Sequence, residues 1–193
     1  MEALTRKDLM PLERYAEERP AFRARVMAHK RNRQIAIGAH ARLYFEDRLT
    51  IQYQIQEMLR IEKIFEVAEI EDELRAYNPL IPDGANWKAT FMLEYEDVAE
   101  RRTALARLGG VAQRTYVQVG ALARVYAVAD EDMGRENEDK TSSVHFLRFD
   151  LARDMVVRAQ AGDPIICGID HPAYKDEVQL TPAQRAALVA DLA

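Results

Sequence analysis

Cysteine is nearly missing from this chain, with Cys167 the only one among 193 residues. A lone thiol excludes an internal disulfide framework and any thiolate zinc cluster. Long apolar runs are missing too: no stretch approaches the ~18 residues a membrane-spanning helix needs. The opening MEALTRKDLMPLERY contains no apolar core of a signal peptide. These absences predict a cytoplasmic protein with no membrane contact. No Walker loop, G-x-G-x-x-G, G-x-S-x-G or HExxH occurs, so the common nucleotide and hydrolase signatures are lacking. None of the four histidines stands three residues after a glutamate, as helical di-iron carboxylate sites require. A strong charge of one sign is also lacking. The net charge is -5, and it conceals blocks: residues 1–40 and 101–129 are basic, while 41–100 and 130–193 are acidic. Alternation of this kind reflects the solvated faces of separate elements, and it argues against a nucleic-acid partner.

What is present suffices for a sizeable core. With 48% hydrophobic and 31% charged residues, the chain reads as a single domain over 1–193. The one candidate internal boundary is the loop NPLIPDGANW, near 78–86, where two prolines flank an Asp83-Gly84 turn. Before it, Pro11 and Pro20 each suit the first turn of a new helix. The second of these helices, 20–30, carries Phe22, Val26 and His29 on one stripe. It ends in His29, Lys30, Arg31, Asn32 and Arg33, cations where the helix dipole is negative. QIAIGAHARLYFE alternates around Gly38 as a hairpin. After the loop, WKATFMLEYE, TYVQVGALARVYAVA, SSVHFLRFD and IICGI read as strands or hairpins. Helices fall near 98–108, 151–160 and from Thr181, whose Pro182 and Gln184 complete a capping signature. The fold class expected is α+β, a mostly antiparallel sheet with interspersed helices and a helical N-terminal arm.

The longest helical pattern covers 45–70 without a glycine or proline, and predicts one long central helix over 47–68. Ile51, Ile55, Met58, Ile61 and Phe65 fall on one apolar arc, and Leu49, Tyr53, Ile64 and Val67 on the opposite side. Such a helix is expected to be covered on both sides, with Ile55 and Met58 almost fully buried.

The phrases AHKRNR, FEDRLTIQYQIQEMLRIE, NPLIPDG, ENEDKTSSVHFLRF and GIDHPAY occur in this order over nearly the whole chain. Together they resemble the bacterial family called domain of unknown function 3501. The resemblance carries no established activity and no catalytic residues. Members are often encoded near rubrerythrin-like and iron–sulfur proteins, so the resemblance implies a link to redox metabolism.

Several residues could carry chemistry. Glu62 falls between Ile51 and Ile55 on the helical wheel, where a carboxylate must pair, protonate or bind a cation. We expect it to be partly buried against a basic side chain, without metal. Tyr53, Glu57 and Arg60 share the other face with Gln56 and could line a pocket with His29 or His145. Glu57 and Arg60 could equally be a solvated helix pair. His145 alternates with Leu147 and Phe149 and so faces the core. Cys167 and His171 lie on one strand face, but the apolar neighbours of Cys167 favour a buried, inert thiol over a nucleophile. The acidic run 130–139 has no glycine at its sixth position and reads as a surface loop, not an EF-hand. No metal and no cofactor are predicted. The function expected is that of a non-catalytic accessory protein binding a ligand, another protein or a second copy of itself. The alternative is a metal-dependent or small-molecule enzyme with a polar pocket between central helix and sheet.

Overall fold

The computed structural model describes residues 2–129 and 141–193; the acidic run and its end at Lys140 lie outside them. The described residues form two antiparallel sheets and six α-helices, the α+β fold expected.

The first sheet has the order β1 (Gln34–Ile37), β2 (Ala41–Phe45), β3 (Asn86–Leu93), β7 (Val144–Asp150), β6 (Val128–Ala129). The second runs β5 (Val125–Tyr126), β4 (Thr115–Val119), β8 (Ile165–His171), β9 (Tyr174–Gln179). Period-two alternation places Leu43, Trp87, Phe91 and Phe149 of one sheet and Val117, Ile165, Cys167 and Ile169 of the other in one apolar cluster. The sheets are stitched at the β1–β2 turn. The Tyr174 hydroxyl donates to Ile37 O at 2.6 Å and accepts from His40 N and Ala41 N at 3.1 and 3.2 Å. Gly38 turns there with φ +66°, and a Cβ at that position would meet Asp176 and Tyr174 at 2.7 Å. Strand β9 is absent from the sequence reading. Its exposed Lys175, Asp176 and Glu177 hide the pattern, as charge on an edge strand does.

Helices α4 (Val98–Arg107), α5 (Arg153–Ala161) and α6 (Pro182–Val189) add Leu105, Val156, Ala159 and Leu188 to the same core. The capping box of Thr181 and Gln184 forms as expected.

The N-terminal helices make a layer of their own. Helix α1 (Leu12–Lys30) runs straight through Pro20, which does not begin a new helix. Tyr15, Phe22 and Val26 lie on both sides of the proline and pack with Tyr53 in one cluster, so tertiary packing carries the helix past it. Pro20 is exposed, leaving water free to reach the unpaired carbonyl.

The central helix is shorter than predicted. Helix α2 (Arg48–Glu62) stops at Lys63, which adopts φ 58°, and α3 (Val67–Tyr77) begins after an elbow. Lys63 N–H bonds to Leu59 O, and Ile64 N–H reaches the same carbonyl at 2.9 Å. Apolar residues beyond the turn supply the physical reason. Ile64, Ile70 and Leu74 fold back on Ile55 and Leu59, whereas a straight helix would carry them away from that core. Helix α2 is covered on both sides, by Ile51, Ile55 and Leu59 in one cluster and Tyr53 in another. Met58 is only half-buried, and Glu62 is exposed rather than paired in a seam. Ile61 and Phe65, placed by periodicity on the buried arc, are 60% and 72% exposed. Among the described residues no helix is long and apolar enough to cross a membrane.

Candidate functional site

Helix α2 gathers polar side chains in its middle and at its start, and apolar ones at its end. In the middle, Glu57 faces α1. Its carboxylate accepts from the Tyr15 hydroxyl at 2.6 Å and from Arg19 at 2.7 and 2.9 Å, a bidentate pair; Arg60 adds a contact at 3.2 Å. The Arg19 guanidinium, against the opposing effect of burial, holds the Glu57 carboxyl down to about 2. Burial, then Glu57 itself, pushes the Tyr15 hydroxyl up. One residue earlier the fully buried Gln56 clasps the backbone of Met10, N–H at 2.7 Å and O at 3.1 Å.

At the start of α2, Asp47 is the N-cap and accepts from Thr50 N–H at 2.9 Å. Its other oxygen lies 2.5 Å from His29 Nε2 and 3.0 Å from Arg33 Nη2. Arg33, 3% exposed, forms a bidentate pair with Asp191 at 2.8 and 2.6 Å. It also donates to Ala187 O at 3.0 Å and points Nε at His29 Nε2, again at 3.0 Å. Burial disfavours charge on both partners. It pushes the Asp191 carboxyl up; Arg33 is nevertheless raised, because its bond to Asp191 joins the nearby carboxylates in outweighing burial. Thus the last turn of α1, the cap of α2 and the end of α6 meet in one ionic cluster. His29 Nε2 donates to Asp47 or accepts from Arg33, according to whether it carries the proton. Nδ1 has no hydrogen-bond partner among the described residues, and the side chain is 34% exposed. This imidazole is oriented by a carboxylate and partly exposed.

The five predicted site residues therefore divide. Glu57 and Arg60 touch each other, and Tyr53 lies under the Lys30 ammonium, 5.8 Å from its ring centre. His29 belongs to the Asp47–Arg33 cluster. His145 is fully buried in the first sheet, in register with Phe91, with Nε2 3.0 Å from both Thr141 Oγ1 and Ser142 O. Arg33, Asp47 and Asp191 escape a reading of the sequence. The Asp47–Thr50 spacing signals a cap, but nothing local ties Arg33 to a residue at the other end of the chain.

Cys167 is fully buried opposite Val117 and Val178, and burial pushes its thiol up to about 12. His171 is engaged by Gly109 O at 2.9 Å and Ala173 N–H at 3.2 Å. Among the described residues, no three His, Cys, Asp or Glu side chains are grouped to hold a metal ion.

At the end of α2 the elbow carries Ile61, Phe65 and Val67, 60%, 72% and 51% exposed. Around them stand Glu62, Glu66, Glu69, Glu71, Asp72 and Glu73, with Lys63 the only cation between 62 and 73. Large apolar side chains exposed close together in sequence among polar groups mark a candidate site for another macromolecule.

A crystal structure of a novel protein of unknown function from Burkholderia pseudomallei K96243 is similar to this chain throughout. It shares 50% identity over 100% of both chains, with a TM-score of 0.94. No curated protein matches the chain. The family model described as Protein of unknown function (DUF3501) matches residues 3–192, and the chain belongs to that family.

Proposed function

We propose that this is a non-catalytic, cytoplasmic accessory protein that binds another macromolecule through the α2–α3 elbow. The observation that carries this reading is the exposure of Ile61, Phe65 and Val67 together inside a carboxylate rim. Leaving three large side chains in water forgoes roughly 1.5–3 kcal/mol each, a cost that burial against a partner recovers. Glu57, Arg19 and Tyr15, by contrast, are spent on holding α1 to α2. A setting in redox metabolism is what the family resemblance implies. The test is affinity capture from source cells with wild type, Phe65→Asp and, as a control on α5, Val157→Asp. The purified captured protein is then titrated against all three. Binding retained by the control and lost in Phe65→Asp is the expected result; equal binding by all three overturns the proposal.

One observation favours the second reading, a small-molecule or metal-dependent enzyme: His29, held by Asp47 through Nε2 and 34% exposed, has no hydrogen-bond partner for Nδ1 among the described residues. Native mass spectrometry with elemental analysis, on protein purified without a metal-affinity tag, tests it. A stoichiometric ligand or metal lost in His29→Asn supports that reading, and its absence from the wild type removes it.

A further inference from the structure

The elbow is matched by a surface elsewhere on the same molecule. Helix α4 turns Ala99, Thr103 and Ala106 outward, a shallow face into which large side chains can settle. Arg102 and Arg107 flank it, and exposed Val98 stands at its start. Helix α4 carries one acidic residue, Glu100 in its first turn, and from 101 to 129 there are five arginines and no acidic residue. Arg101, Arg102, Arg107 and Arg114 have no carboxylate partner among the described residues. The elbow has the opposite character. Its apolar side chains project, and Glu62, Glu66 and Glu69 lack a cationic partner among the described residues. Burial, followed by neighbouring Glu62 and Asp72, raises the carboxyl of Glu73.

We propose that the elbow of one copy docks on α4 of a second copy, Phe65 and Ile61 settling over Ala99, Thr103 and Ala106 while the carboxylates meet Arg102 and Arg107. This rests on the elbow being a docking surface and names its occupant. The interface is expected to be weak. Exposed ion pairs contribute little, and a stable complex buries about 1,600 Å² in total, more than three side chains cover. Salt weakens it by screening the pairs.

Sedimentation equilibrium of the full chain, from micromolar to near-millimolar concentration at low and high salt, provides the test. The expected result is salt-sensitive self-association, weakened at least ~10-fold in Phe65→Asp and in Arg102→Glu, the factor that about 1.4 kcal/mol commands. Mixing Glu66→Arg with Arg102→Glu should give a hetero-pair tighter than either variant forms alone. All three positions are exposed, and circular dichroism verifies that the variants fold. A wild type that stays monomeric throughout, or an association indifferent to both substitutions, overturns the inference. If the wild type is monomeric while Phe65→Asp still abolishes capture of a different protein, the choice of occupant fails and the docking surface stands. If Phe65→Asp changes neither, both fail.

Discussion

At the start of α2 three polar side chains, Arg33, Asp47 and Asp191, are drawn into the interior beside the half-buried His29, while at its end three large apolar ones are left in water. Both arrangements invert ordinary partitioning, and they differ in what completes them. The polar cluster is completed within the chain: each carboxylate has a guanidinium, and Asp47 also caps a helix. The apolar elbow is completed by nothing on the described chain. The first arrangement is therefore architectural, holding the ends of α1, α2 and α6 together, and the second is where the surface invites an outside partner.

The sharpest way to break this contrast is Arg33→Met. Two carboxylates then remain buried without their cation, which costs about 3–5 kcal/mol. Urea unfolding tracked by circular dichroism reads the loss. Adding Asp191→Leu should recover part of it, because a fully apolar replacement removes the unpaired charge as well. Wild-type stability in Arg33→Met would mean that the cluster does not hold the helices.

Next comes a matched pair on the predicted apolar arc. Ile55, fully buried, should cost about 2–5 kcal/mol as Ile55→Ala. Phe65, larger and on the arc predicted to share the core, should cost no more than about 0.5 kcal/mol as Phe65→Ala. Comparable losses at the two positions would place Phe65 in the core and remove the docking surface.

Glu57 gives a smaller effect with a sign that depends on pH. Its folded carboxyl titrates at about 2, below its ordinary 4.5, so the unfolded chain takes up the proton first. The stability it contributes is present above about pH 4.5 and is lost as pH falls toward 2. Glu57→Gln should cost about 1.5–3 kcal/mol near neutral pH, as bonds to charged groups do. The gap to wild type should close in acid. Parallel urea curves at about pH 6 and about pH 3 check this; a gap that widens in acid contradicts the assignment.

Much of the fold is legible because it is written locally. Alternation in TYVQV and VHFLRFD, the glycine turn at Gly38 and the capping box at Thr181 each act over a few residues. What stays hidden depends on distant partners. Arg33 and Asp191 are 158 positions apart, and no local pattern announces their pairing. Pro20 looks like a helix start because the stripe that carries α1 past it acts through Tyr53 on another helix. Strand β9 hides because its outward charges override its inward Tyr174 and Val178. Of the candidate site residues, the joining of Glu57 and Arg60 is readable from their spacing. That His29 faces Asp47 and that His145 is buried elsewhere are not.

The elbow leaves no local signature because its break carries no glycine or proline, and this leads to the finest prediction. Lys63 adopts φ 58°, a conformation that costs a residue with a side chain about 1–2 kcal/mol. Glycine escapes that cost and gives back roughly 0.5–1 kcal/mol in the entropy of the unfolded chain. Lys63 is exposed, so no packing is lost with its side chain. Lys63→Gly should therefore stabilise the protein by about 0.5–1 kcal/mol. A continuous helix over 47–68 predicts the opposite sign, since glycine in a helix interior loses about 1 kcal/mol. The direction of the shift in the urea midpoint decides between the two geometries. It also bears on the docking surface: only a turn at Lys63 sends α3 back over Ile55 and Leu59 and leaves Ile61 and Phe65 facing water.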